Sequence, residues 1–219
     1  MIDPIQLATN MGNINGRNAD PRVVADKMSR IRSPHVQPIN DLADRIALTE
    51  GFGKGEVPYV DPDTGGIDAR MLVLLDNPST KAESGSGSGL LSLDNDDRTA
   101  RNCREAYQRH GVQISDVVHW NVVPFPVAGV KNGGSTPAER VRGVRWTREI
   151  VAMLPRLEIV LLLGAAARDG WQRGDITRDG LYVPAGNIPH CSMRGLNTAG
   201  GRDRFENAIA DVAARLRSQ

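Results

Sequence analysis

The chain has 219 residues, a formal charge of +1, and 40% hydrophobic and 24% charged residues. That length can bury a full core in one domain, and the composition excludes a disordered or fibrous chain. Its two cysteines, Cys103 and Cys191, exclude a four-cysteine iron–sulfur cluster or a cysteine-rich zinc site built from this chain alone.

Residues 1–20 are polar and aperiodic and read as a flexible N-terminal arm, with residues 21–219 forming the domain. A helix is expected over 21–32, with Asp20 as N-cap and Pro21 at the first helical position. Pro34 and Pro38 interrupt it, and a second helix resumes over 39–49 through Leu42, Ile46 and Leu48. Residues 51–69 are a loop rich in Gly, Pro and Asp.

The apolar run Met71-Leu72-Val73-Leu74-Leu75 stops abruptly at Asp76-Asn77-Pro78-Ser79. Such a run bounded by turn residues predicts a strand buried on both faces. Residues 84–95, SGSGSGLLSLDN, look like a linker anchored by Leu90 and Leu91. A helix over 96–110 carries Ala100, Cys103, Ala106 and Tyr107 on one face. A strand over 117–123 includes His119, Trp120 and Asn121, and a helix over 137–154 is capped by Thr136 with Pro137 at its start. A third strand, 159–163, turns at Gly164 into a helix over 165–171, and 181–183 is a candidate fourth strand. An amphipathic helix over 202–217 turns Phe205, Ile209, Val212 and Leu216 inward.

Strands alternating with helices predict an α/β fold: a three-layer single domain with a central, mostly parallel four-stranded sheet flanked by helices. In open α/β sheets ligands collect at the carboxyl ends of the strands. Three such ends carry polar residues: Asp76-Asn77-Pro78, Asn121, and the late loop His190-Cys191-Ser192-Met193-Arg194-Gly195.

The motifs LLDNPS at 74–79, HWNVVPF at 119–125 and HCSMRG at 190–195, with IVLLLGAAA at 159–167 between the last two, resemble the uracil-DNA glycosylase superfamily over about residues 57–217. The resemblance implies that Asn77 positions the attacking water, with Asp76 one residue away as the alternative. It implies that Asn121 reads the base and that His190 hydrogen-bonds the base O2 as negative charge builds. Ser192 aligns with a phosphate-contacting serine, and Met193 and Arg194 fall where the family inserts a wedge into the base stack. Catalytic residues are thus expected at Asn77, His190 and Asp76, and DNA-binding residues at Ser192, Met193 and Arg194.

The chemistry agrees with these residue types. Cleaving an N-glycosidic bond needs a donor at the leaving base, a held water near the sugar and a dry pocket. It requires neither metal nor cofactor, and a base inside a duplex must first be flipped out. The sequence departs from the family at Cys191, where Pro is usual, and at Leu75, where many members have Gly. Ser79 stands where the strict uracil branch has a Tyr that excludes a 5-methyl group. No Phe in the 84–93 loop supplies a stacking face, leaving Phe52, Tyr59, Trp120 or Phe125 for that role. Ser79, Trp120 and Phe125 therefore join Asn121 as expected base-binding residues, in a pocket roomy enough for 5-substituted pyrimidines.

The expectation is a monofunctional DNA glycosylase that releases uracil or a modified pyrimidine from single- or double-stranded DNA, in base-excision repair or in defence against modified foreign DNA. None of the four lysines falls in the three motifs, which argues against a lyase step. Two rivals remain: a catalytically weak base-sensing protein on the same fold, and a nucleoside or sugar hydrolase without a DNA partner. No apolar run reaches the ~18 residues that suggest a membrane span, and no secretory signal pattern is visible at the N-terminus. A cytoplasmic monomer without membrane, metal or cofactor is expected.

Overall fold

A computed structural model of the chain describes residues 16–79, 81–83, 85, 87–127 and 134–218. Residues 1–15 of the expected arm and residues 84 and 86 of the serine–glycine loop lie outside the described residues. Residues 16–20 are tied down: Arg17–Ala19 is a 3-10 turn, and the Asn18 N–H donates to the Asp94 carbonyl at 2.9 Å.

Helix α1, Pro21–Ser29, begins with Asp20 as N-cap, its carboxylate accepting from the Arg22 N–H. Helix α2, Gln37–Glu50, ends at Gly51 in the left-handed conformation (φ 85°) that terminates helices at glycine. Strand β1, Tyr59–Val60, lies in the segment expected to be wholly loop. The central strand β2 is Met71–Leu75. Strand β3, Leu90–Leu91, pairs in parallel with β1, so the Leu pair does anchor the serine–glycine loop. Helix α3, Arg98–His110, is capped by Asp97 and buries Ala100, Cys103, Ala106 and Tyr107.

Strand β4 is Val117–Asn121. Helix α4, Pro137–Ala152, opens with a reciprocal capping box between Thr136 and Glu139. Strand β5, Ile159–Leu162, leads through Gly164 into helix α5, Ala165–Gly174. A short helix α6, Met193–Leu196, forms inside the late loop, and α7, Gly201–Arg217, closes the domain.

The main sheet has the order β4-β2-β5 with every pair parallel. It has three strands among the described residues, where four were expected. The segment 181–183 contributes a single parallel bridge, Tyr182 to Ile159. Pro184 follows almost at once and has no N–H to extend a ladder.

Alternation along the strands divides the core. Leu72, Leu74, Val118, Trp120, Val160 and Leu162 face one cluster, which includes Ile39 and Ile46 of α2, Trp146 and Ile150 of α4 and Trp171 of α5. Met71, Val73, Val117, Ile159 and Leu161 face the other, with Cys103 and Tyr107 of α3 and Phe205 and Ile209 of α7. Helices therefore cover both faces of the sheet. This explains why β2 and β5 read as unbroken apolar runs, because neither face of these strands meets water.

Candidate functional site

The register of the sheet brings two of the three motifs together. Leu75 lies opposite Asn121 across β2 and β4, so the chain turns out of β2 into Asp76-Asn77-Pro78 beside the end of β4. A cavity of about 120 Å³ opens at this carboxyl edge, on the α3 face of the sheet. Asn77, Ser79, Asn121 and His190 all line it, as do His119 and Asp97. Asn121 is buried, and among the described residues its side-chain amide is bonded to none, which leaves both donor and acceptor available to a ligand. The Asn77 amide donates to its neighbour, the Pro78 carbonyl, at 3.2 Å.

His190 reaches this wall because the turn after β5 passes beneath it. Gly164, at φ 98°, donates its N–H to the Ile188 carbonyl at 3.1 Å, and a Cβ built at Gly164 would lie 3.1 Å from that of His190. On the other side, Gly195 packs so closely on the His190 carbonyl that a side chain there would force the loop apart. The His190 Nδ1 accepts the Ser192 backbone N–H at 3.1 Å. Burial pushes the His190 imidazole below the ordinary histidine range, opposed by the charges of Asp76 and Asp97. A neutral ring with Nδ1 occupied as an acceptor carries its proton on Nε2.

Asp76 occupies a different place from Asn77. Its carboxylate accepts from both the backbone N–H and the hydroxyl of Ser135, just before α4, and it is not part of the cavity wall. The Arg140 guanidinium donates in turn to the Ser135 carbonyl and hydroxyl, and pairs with Asp169. Asp76 thus fastens the β2 turn to the start of α4, and its charge still reaches His190.

Two expected base-binding residues lie elsewhere. Trp120 alternates with His119 and Asn121 along β4, so its indole projects to the opposite face and is fully buried in the α2–α4–α5 core. Phe125 is buried in the same core, stacked on Phe52 at 6.2 Å between centroids and covered by the Arg142 guanidinium. Neither lines the cavity. Of the expected DNA-binding residues, Ser192 caps α6, its hydroxyl accepting from the Gly195 N–H at 3.3 Å. Met193 is half-buried at the first position of that helix, and Arg194 is exposed beside it.

His119 contributes more than the sequence suggests. It is 7% exposed, lines the cavity, and its Nε2 lies 3.1 Å from the Tyr107 hydroxyl. Burial lowers its pKa to about 4, so the ring is neutral. The available signal was its spacing: two residues before Asn121 on a strand means the same face. The loop from Leu91 to Asp97 adds Ser92 and Asn95 to the wall, which no sequence motif marked, and α3 adds Thr99, Ala100 and Cys103.

Among the described residues no group of three or more His, Cys, Asp or Glu side chains could hold a metal ion. No described helix is long and apolar enough to cross a membrane. No family model matches the chain, and no curated protein matches its sequence.

Proposed function

We propose that the chain is a monofunctional DNA glycosylase of the uracil-DNA glycosylase type, acting in the cytoplasm on DNA that contains uracil or a modified pyrimidine. The observation that carries this reading is the meeting of Asn77, Asn121 and His190 on one cavity wall, although they lie far apart in the chain. In this reading the segment through Tyr182 takes the place of a fourth strand.

The flipped base enters the cavity and presents an edge to Asn121. His190 offers Nε2–H to the base oxygen on which negative charge builds. A neutral donor suits this task, because it stabilises the developing anion without first surrendering a proton. Asn77 holds water near the sugar. An oxocarbenium-like sugar demands little nucleophilic push, so an amide that orients water suffices. Ser79, at the exposed rim, leaves room at the pyrimidine 5-position. Exposed Arg194 and the α6 turn stand beside His190, where the strand on either side of the everted nucleotide would pass.

The test is product analysis under single-turnover conditions, on single- and double-stranded oligonucleotides bearing uracil, 5-hydroxymethyluracil or modified cytosines. Release of a free base with an alkali-labile abasic site is expected from at least one substrate. Release confined to uracil rejects the roomy pocket, and no release from any substrate rejects the enzyme.

One observation favours a second reading, a base-sensing protein without turnover. Among the described residues the one carboxylate in the cavity wall, Asp97, is occupied as the N-cap of α3, accepting from the Ala100 N–H at 2.9 Å. Tight, salt-dependent binding to modified DNA without base release is its signature.

A further inference from the structure

We propose that His119 is a specificity residue of the cavity: its Nδ1–H, set by the Tyr107 hydroxyl, takes a ring carbonyl oxygen of the bound base. The inference rests on the base-excision reading for its choice of ligand.

His119 Nδ1 is buried and has no hydrogen-bond partner among the described residues. Buried polar groups without partners are uncommon and costly, so each calls for an explanation. His119 forms part of the cavity wall, whereas Tyr107, which holds its Nε2, does not. The two rings are roughly parallel, with centroids 5.9 Å apart and planes 24° from each other. Tyr107 is buried, and His119 is the hydroxyl's one hydrogen-bond partner among the described residues.

Counting protons settles the tautomer. If Nε2 carried the proton and Tyr107 accepted it, two groups would stand unpaired: the phenolic O–H and the Nδ1 lone pair. If Tyr107 donates to Nε2, one remains, the Nδ1–H. The second arrangement leaves fewer buried groups unsatisfied and is preferred. The imidazole is neutral in this environment, so no third form competes. What remains unpaired on this cavity-lining ring is a donor, and a donor selects an acceptor.

A pyrimidine offers two kinds of edge group. A carbonyl oxygen satisfies Nδ1–H, whereas an exocyclic amino group would set donor against donor. In the proposed enzyme His190 serves one carbonyl, and His119 takes the other. Asn121 is indifferent, since its amide presents both polarities. Tyr107 is a positioning residue that acts through His119 and does not touch the base.

The experiment uses the full chain with ¹⁵N-labelled histidine, and free uracil and cytosine as probes. Long-range ¹H–¹⁵N correlation spectra report the tautomer directly and do not depend on glycosylase activity. The expected result is the Nδ1–H form of His119 in the free protein, a shift of that resonance on adding uracil, and weaker binding of cytosine. Tyr107→Phe keeps the ring and removes the hydroxyl, so His119 should lose its fixed tautomer and the preference for uracil should shrink by up to about tenfold, the worth of one hydrogen bond. His119→Leu should remove that preference, and His119→Asn, which retains a donor, should restore part of it.

An Nε2–H tautomer in the wild type overturns the proposal. So does an unchanged uracil-to-cytosine ratio in folded Tyr107→Phe protein, or a wild type that binds neither base. A protein that discriminates the free bases as stated, yet releases none from DNA, upholds the role of His119 and instead defeats the glycosylase reading.

Discussion

The backbone N–H of Ser192 donates to Nδ1 of His190 at 3.1 Å. A two-residue turn therefore decides which nitrogen of a cavity-lining histidine carries the proton. Protonating the ring would set two N–H groups against each other at this contact, and burial already opposes the charge. The ring is therefore neutral, with its proton on Nε2.

This gives a pH prediction for catalysis. The His190 pKa lies below the ordinary value of about 6.5, so base release should not depend on this group above about pH 7.5, a unit above that ordinary value. His190→Ala should lower the single-turnover rate by about 10²–10³, the usual cost of one transition-state donor. A rate that climbs as pH falls through 6.5 would mean that an imidazolium is the active form, contrary to this geometry.

Asp76 and Asn77 can be separated by experiment. Asp76 is bonded to Ser135, and its charge raises the His190 pKa against the larger effect of burial. Asp76→Asn preserves size and removes that charge, so His190 should titrate still lower, as read by NMR of the ring protons. Asn77→Ala should leave the His190 titration nearly unmoved while abolishing base release and sparing most DNA affinity. An Asn77→Ala protein with full activity would transfer the water-positioning role elsewhere.

Stability should carry the imprint of His119. Its folded-state pKa of about 4 lies below the unfolded value, so between pH 6.5 and 4 the unfolded chain binds a proton that the native protein refuses. Stability is therefore full above about pH 6.5 and declines as pH falls through that window, by roughly 3 kcal/mol for a depression of this size. Burial of His190 adds in the same direction. Urea unfolding from pH 7 to 4 should show a shallower acid decline in His119→Phe than in the wild type. Parallel curves for the two proteins would contradict this.

A buried ion cluster anchors the first helix. Lys27 is 1% exposed, and its ammonium donates to Asp61 at 2.6 Å and to Asp94 at 2.8 Å. Burial pulls its pKa down, but the two carboxylates outweigh burial and the net shift is upward. Lys27→Met leaves Asp61, itself 3% exposed, without its closest countercharge. A loss of about 3–5 kcal/mol is expected, as for other buried pairs broken from one side. A urea midpoint close to that of the wild type would show that the cluster relaxes into water at little cost.

Some of the molecule was legible from local chemistry. Asp20, Thr136 and the glycines after α2 and α3 mark helix ends through caps and the left-handed conformation, which depend on a few neighbouring residues. The five-residue apolar run of β2 needed only its own pattern. The β1–β3 pair was hidden, because two short segments about 30 residues apart gain stability only from each other. An aromatic residue near a motif suggests a base platform, but strand parity turns Trp120 to the opposite face and Phe125, beyond the strand, packs into that same core. His119 lies on the cavity wall, but its partner could not be read locally, because Tyr107 comes from the separate helix α3.

What the sequence by itself determined is the set of elements and the residue types at their ends, since caps, turns and hydrophobic period are local free-energy choices. Only the tertiary structure decided that Leu75 and Asn121 pair, that Gly164 carries His190 to the same wall, and that Asp76 turns aside to Ser135. These are long-range packing solutions, in which close approach of backbones and the satisfaction of buried polar groups select one arrangement from many that the local pattern permits.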